Sequence, residues 1–241
     1  MREPDRAIGA DELRLLGQAM YGNPDRYRLF GLGIDSLMAR QIRLLRRTAI
    51  ECCIDEHAIQ IALRVRELSH QLRLPGPVLV VDPFAGSSNL LYWVSRVLEA
   101  DGIGFESNPY VHAATLANLQ RLKIPLQLKN CSYSTVPSVL PEADQRSFVY
   151  LFDPPWGKAF DPAKGLDMNR TEPPIVSLLT LASRWVQGRP GMAAVKGCER
   201  MSGTVPSELQ QEARLLEFKV MEPGVIGLRP ACLVFRLGET S

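Results

Sequence analysis

Histidine, paired cysteines and net charge are in short supply here. Three histidines lie far apart among 241 residues, and five cysteines show no paired spacing. That argues against a zinc site or a disulfide framework and for reduced thiols in a cytoplasm. Cys52-Cys53 is read in a helical context, where neighbouring side chains face different directions. No apolar run approaches the roughly 18 residues of a membrane span. Met1-Arg2-Glu3-Pro4-Asp5-Arg6 does not read as a signal peptide, so a cytoplasmic protein is expected. Net charge is only +2, which neither demands nor excludes nucleic acid, although a dedicated binder is usually more basic. Repeats and low-complexity segments are absent, as is the dinucleotide pattern G-x-G-x-x-G.

What is present suits an enzyme with a full core, since 46% of the residues are hydrophobic. Residues 1–75 read as a helical cap with helices over 11–20, 35–50 and 55–74. The third carries apolar residues at Ile59, Leu63, Val65 and Leu68, with Asp55 as its N-cap and Pro75-Gly76-Pro77 as a stop. Strand–helix alternation over 76–241 then argues for a parallel sheet. Strands are expected at 78–82, 102–106, 126–130, 148–152 and 191–196. After a helix at 206–213, two closing strands follow at 215–221 and 231–237.

Two places carry chemistry. The apolar run Phe148–Phe152 ends abruptly in Asp153-Pro154-Pro155-Trp156. Paired prolines lock φ and donate no N–H, so a carboxylate, carbonyls and an indole are fixed together. The carboxyl end of a strand is where open α/β sheets bind ligands. Such a group suits a planar amine, with acceptors for its N–H protons and an indole for its ring. The plain alternative is a strand-ending turn with a core tryptophan. The second place is Val78-Leu79-Val80-Val81-Asp82-Pro83-Phe84-Ala85-Gly86-Ser87-Ser88, a strand running into a small-residue turn, followed by Ile103-Gly104-Phe105-Glu106. Glycine admits close approach of a ligand, and the second acid suits ribose hydroxyls. An acid opening the turn suits a cationic ligand better than a pyrophosphate.

In this order the motifs resemble the S-adenosylmethionine-dependent methyltransferases with a Rossmann-like fold, in particular those that methylate amino nitrogens of nucleobases. The resemblance implies a mostly parallel seven-stranded sheet with an antiparallel last strand. It further implies that Asp82, Phe84, Ala85, Gly86 and Ser87 wrap the methionine part of S-adenosyl-L-methionine. Glu106 and Ser107 would hold the ribose, and Asn130 and Cys131 would flank the adenine. Asp153 would face both cofactor and acceptor. Where the family turn carries a further glycine, this chain has Ser88. Within the family, Tyr27-Arg28-Leu29-Phe30 with Gly33-Ile34-Asp35, and the segment after Trp156, are similar to the RNA cap trimethylguanosine synthases. Those enzymes read Pro-Pro-Trp-Gly-Gly-Pro where this chain has Lys158 and Ala159 after Gly157.

The expected activity is methyl transfer to an amino or ring nitrogen of a planar heterocycle. The acceptor expected first is a nucleobase in RNA, of the guanine N2 type. A small nitrogen heterocycle of a biosynthetic pathway is the other enzyme reading, and a catalytically silent binding protein is a third. Catalysis is assigned to Asp153, Pro154 and Trp156, and acceptor binding to Pro155, Trp156, Phe160 and Lys196, with no metal. The chemistry needs no strong base, since the proton can leave after the methyl arrives; Lys196 and Lys158 are candidate bases for oxygen methylation. Lys196 is taken to follow a strand. Arg40, Arg43, Arg46 and Arg47 on the second helix form either a phosphate-contacting face or, more in keeping with the near-neutral charge, a solvated one. Tyr92, Trp93 and Trp185 read as packing residues, and the 157–174 loop as a lid or selector.

Overall fold

The computed structural model describes residues 6–140, 146–161, 163–186, 188–203, 213–222, 224 and 228–238. The N-terminal part contains α1 (Ala10–Tyr21), a short hairpin of β1 (Arg28–Leu29) and β2 (Leu32–Gly33), α2 (Ile34–Ala39), α3 (Arg46–Glu51) and α4 (Asp55–Gln71). Alternating elements follow: β3 (Val78–Asp82), α5 (Asn89–Leu98), β4 (Asp101–Phe105), α6 (Pro109–Leu122), β5 (Gln127–Lys129), α7 (Val136–Val139) and β6 (Ser147–Phe152). The chain continues through β7 (Phe160–Asp161), β8 (Gly165–Asp167), α8 (Ile175–Trp185), β9 (Gly191–Cys198), β10 (Met201–Ser202), β11 (Ala213–Val220) and β12 (Pro230–Leu237).

Seven strands form the central sheet in the order β11-β12-β9-β6-β3-β4-β5. Pairing is parallel from β9 to β5, while β12 lies antiparallel to both its neighbours. This is the expected α/β, Rossmann-like architecture, and all seven main strands lie within two residues of their expected ends. Chain order reverses between β3 and β6, which opens a crevice beyond their carboxyl ends.

Alternation along β6 explains why both faces are covered. Phe148, Tyr150 and Phe152 point to one face, where Trp185 of α8 packs on Tyr150 with ring centroids 5.5 Å apart. Val149 and Leu151 point to the other, beneath α4 and α5. Gly104 of β4 is required by this packing: a Cβ there would stand 2.7 Å from the Ala85 Cβ in the turn after β3.

Several expectations need correction. The helix expected over 35–50 is two helices, α2 and α3: the chain leaves α2 through Gln41 at φ +56°, Ile42 N bonds back to the Leu37 carbonyl (2.9 Å), and the backbone of Arg43 pairs with the Asn118 side chain. Arg40 and Arg43 therefore do not share a helical face with Arg46 and Arg47. Cys52 and Cys53 lie between α3 and α4, not in a helix. In α4 the buried stripe is Ala58, Ile61, Ala62, Val65 and Leu68, while Leu63 is exposed. Lys196 sits within β9, paired with Cys232 of β12, instead of following the strand. Residues 206–212 of the helix expected at 206–213 lie outside the described residues, and Ala213 opens β11. The 157–174 loop contains β7 and β8, and β8 pairs in parallel with β10.

Asp55 is not an N-cap either. It is the first residue of α4, with Ile54 in the capping position, and its buried carboxylate works elsewhere. It accepts from Gly31 N (2.9 Å), Asn89 Nδ2 (3.1 Å) and Trp93 Nε1 (2.6 Å). Asn89, fully buried at the start of α5, also accepts from Phe30 N (2.7 Å) and donates to the Cys53 carbonyl (2.8 Å). The N-terminal hairpin is thus pinned to the helix that follows the Asp82–Ser88 turn. Asn89→Ala strands the buried Phe30 N–H and frees one side of Asp55, so stability should fall by about 1–3 kcal/mol in urea unfolding. A loss under about 0.5 kcal/mol, the scale of an ordinary surface change, would show that the network does not hold the hairpin.

Candidate functional site

Beyond the carboxyl ends of β3, β4 and β6 lies a cavity of about 660 Å³. One wall is the turn from Asp82 to Ser87, and a second is Glu106-Ser107-Asn108 after β4. Asp153 to Gly157, Phe160 and Lys196 make the third. The N-terminal segment covers them with Met20 and Tyr21 of α1, with Arg47 and Glu51 of α3, and with Cys52, Cys53 and His57. A cavity of this size suits a small ligand with an apolar body and a few polar groups.

The turn after β3 is set by its own side chains. Asp82 Oδ1 accepts from Phe84 N at 3.0 Å, which turns the chain at Pro83. Gly86 takes φ +47° and Ser88 takes φ +61° as the cap of α5. Ser88 therefore occupies the left-handed conformation that a glycine adopts with less strain, and the departure from the family pattern is accommodated in place. Phe84 packs against Tyr133, centroids 5.5 Å apart. Glu106 Oε1 accepts from Asn108 N at 2.7 Å, and the Gly86 backbone also bonds the carboxylate. Asn130 and Cys131 do not line the cavity: Asn130 is exposed and donates to the Glu106 carbonyl (2.7 Å), and Cys131 packs against the core.

At the third wall, Lys196 Nζ donates to Asp153 Oδ2 at 2.7 Å, with both side chains largely buried. The same ammonium lies 5.8 Å from the centroid of the Trp156 ring. Trp156 also meets Phe160, centroids 5.3 Å apart at 42°. Its Nε1 is buried and finds no hydrogen-bond partner among the described residues. Lys158 is exposed, on a short turn.

Burial governs the electrostatics. It lifts the Asp82 carboxyl to about 7 against its bond from Phe84 N, and the charges of Asp153 and Glu106 add to the rise. Glu106 is also raised by burial, with backbone bonds working the other way. Burial raises Asp153, opposed by Lys196. For Lys196 burial favours the neutral amine, yet the neighbouring Asp153 carboxylate outweighs it and the pKa is raised. Lys196 is consequently an ammonium at neutral pH and not a free base for oxygen methylation. Among the described residues no cluster of three metal-ligating side chains occurs. None of their helices is long and apolar enough to cross a membrane.

Of the residues expected at the site, Asp82, Phe84, Ala85, Gly86, Ser87, Glu106, Ser107, Asp153, Pro154, Pro155, Trp156, Phe160 and Lys196 share this cavity. The sequence reading missed Tyr21, Glu51, Cys52, Cys53 and His57. Tyr21 stands alone in α1, the others fall in the short stretch 51–57, and nothing local tied either to the turn that begins at Asp82. Lys196→Met would leave the Asp153 carboxylate buried and alone, so stability should drop by about 3–5 kcal/mol in urea unfolding. Adding Asp153→Asn should recover most of that loss. Full stability of the single variant would mean the pair is hydrated and not buried.

No family model matches the chain, and no curated protein matches it. Among solved structures it resembles a protein of Listeria monocytogenes assigned to the class I S-adenosylmethionine-dependent methyltransferases. The TM-score is 0.54 at 14% identity, over 75% of this chain and 60% of that one, so this chain spans less than two thirds of that neighbour. The tRNA m1A22 methyltransferase of Bacillus subtilis gives a TM-score of 0.48 at 11% identity, over 78% and 68%, too distant to carry an argument. What the first likeness shows is the fold: this chain has the Rossmann-like architecture found in class I methyltransferases.

Proposed function

We propose that the chain is an S-adenosylmethionine-dependent N-methyltransferase acting on an amino nitrogen of a planar heterocycle. One observation carries the reading. The Asp82–Ser88 turn, Glu106 and the Asp153-Pro154-Pro155-Trp156 corner, distant in sequence, line one cavity at the reversal point of the sheet. The donor set fits the cofactor: buried carboxylates face a ligand that is cationic at sulfur and nitrogen, and the turn at Gly86 admits close approach. We assign Asp82 to Ser87 to the methionine part and Glu106 with Ser107 to the ribose. Residues 1–75 act as a cap that completes the pocket.

When bound, the cofactor supplies an electrophilic methyl group on a sulfonium. The protein supplies position, which accounts for much of the rate in an in-line displacement. Asp153 would accept an N–H of the acceptor and, with the Pro154 carbonyl, stabilise the positive charge that grows on its nitrogen. The extra proton then leaves to solvent. Trp156 stacks the heterocycle, worth about 1–3 kcal/mol for a base.

For the acceptor we take a nucleobase in RNA first, of the guanine N2 type, on the strength of the indole beside the carboxylate. A small nitrogen heterocycle is the second reading. It is favoured by the volume of about 660 Å³, enough for the cofactor and one small ring, and by a cap whose arginines do not form one face. Incubation with labelled cofactor and either bulk RNA or a small-molecule extract separates them. We expect label in RNA nucleosides; label only in the extract selects the second reading.

Asp153→Ala should leave cofactor affinity within a few-fold and lower kcat by roughly 10²–10³. A collapse of affinity instead would move Asp153 out of the acceptor role. Glu106→Ala should weaken S-adenosylhomocysteine about ten- to hundredfold by calorimetry, the loss of a charge-assisted bond. The pH dependence has a definite sign. A cationic ligand selects the Asp82 carboxylate, whose pKa in the free protein is about 7, so binding releases a proton. Affinity for S-adenosylmethionine should therefore rise from pH 6 to 7.5, and Asp82→Asn should flatten the rise. An identical profile in that variant would assign the titration to another group.

A further inference from the structure

We infer that the Asp153–Lys196 pair reads the edge of the acceptor: an amino N–H on Asp153 and an adjacent ring nitrogen, free of a proton, on Lys196. The substrate class is then narrower than planar amines in general. It is a heterocycle whose amino group is flanked by an acceptor nitrogen, as in adenine (N6 and N1), cytosine (N4 and N3) or guanine read from its N2–N3 side. The inference rests on the methyltransferase reading of this cavity.

Geometry carries it. Lys196 Nζ occupies Asp153 Oδ2 at 2.7 Å, so Oδ1 is the oxygen left to an incoming N–H. An ammonium has three N–H donors and spends one on that bond, so two remain. Both residues line the cavity, and β9 carries Lys196 beside β6, whose end carries Asp153. Carboxylate oxygen and ammonium thus stand side by side, an acceptor next to a donor. The ammonium also lies over the Trp156 ring, 5.8 Å from its centroid, so pair and indole border the same part of the cavity. A heterocycle laid on the indole beside the ammonium would meet the pair with its edge. An amino group next to a ring nitrogen offers donor and acceptor in the complementary order. Replacing the ring nitrogen by C–H would leave a buried ammonium facing carbon, the mismatch that polar sites reject most strongly.

The test uses the full chain with three isosteric nucleoside pairs: adenosine and 1-deazaadenosine, cytidine and 3-deazacytidine, guanosine and 3-deazaguanosine. Each pair keeps the amino group and exchanges the flanking nitrogen for C–H. Binding is measured by calorimetry on protein saturated with S-adenosylhomocysteine. At least one parent nucleoside should bind, and its deaza partner should bind about ten- to hundredfold more weakly. Lys196→Met, with S-adenosylhomocysteine binding as its folding control, should reduce that ratio to near one; the wild-type ratio stands by itself if this variant does not fold. Equal affinity within every binding pair, or no binding of any nucleoside by protein that does hold S-adenosylhomocysteine, overturns the edge reading. Failure to bind S-adenosylhomocysteine overturns the methyltransferase reading instead.

Discussion

Everything at this site follows from burying carboxylates together at the carboxyl ends of neighbouring interior strands. Asp82, Glu106 and Asp153 end three parallel strands that lie side by side, so the pairing that makes the fold also crowds three acids around one cavity. Burial raises all three. One of them, Asp153, is held by an internal ammonium. The others are held by backbone N–H groups, from Phe84 to Asp82 and from Asn108 and Gly86 to Glu106, and burial favours their protonated forms.

The cavity divides along these lines. The side lined by Asp82 and Glu106 carries two carboxyls whose pKa values burial raises, with the Arg47 guanidinium near Glu106, while the other side holds the Asp153–Lys196 ion pair beside Trp156.

The N-terminal cap is held by a different device. Asp55 and Asn89 satisfy backbone N–H groups of the hairpin at Phe30 and Gly31, so the N-terminal segment is tied to the helix that follows the Asp82–Ser88 turn. The same segment contributes Tyr21, Glu51 and Cys53 to the cavity lining. Stability of the hairpin and the shape of the pocket are therefore coupled through a few buried polar atoms, where a single unpaired group is costly.

Much of this was legible in the chain. The apolar runs ending at Asp82 and Phe152 are strands because both sheet faces are covered, and such strands need no polar alternation. Asp153-Pro154-Pro155-Trp156 marked one wall of the cavity by the stiffness of two prolines. Reading 35–50 as one helix failed because Gln41 turns left-handed and the Arg43 backbone pairs with Asn118, 75 residues on, which local periodicity cannot show. Asp55 looked like a cap because a carboxylate before a helical run is usually one; its three donors come from residues 24 to 38 positions away. The sequence by itself determined which strands are buried and which turns are stiff, since these depend on neighbours along the chain. Only the tertiary structure decided that Lys196 meets Asp153 and that the cap closes the pocket, because those contacts join segments whose approach is set by sheet order and packing, not by any local pattern.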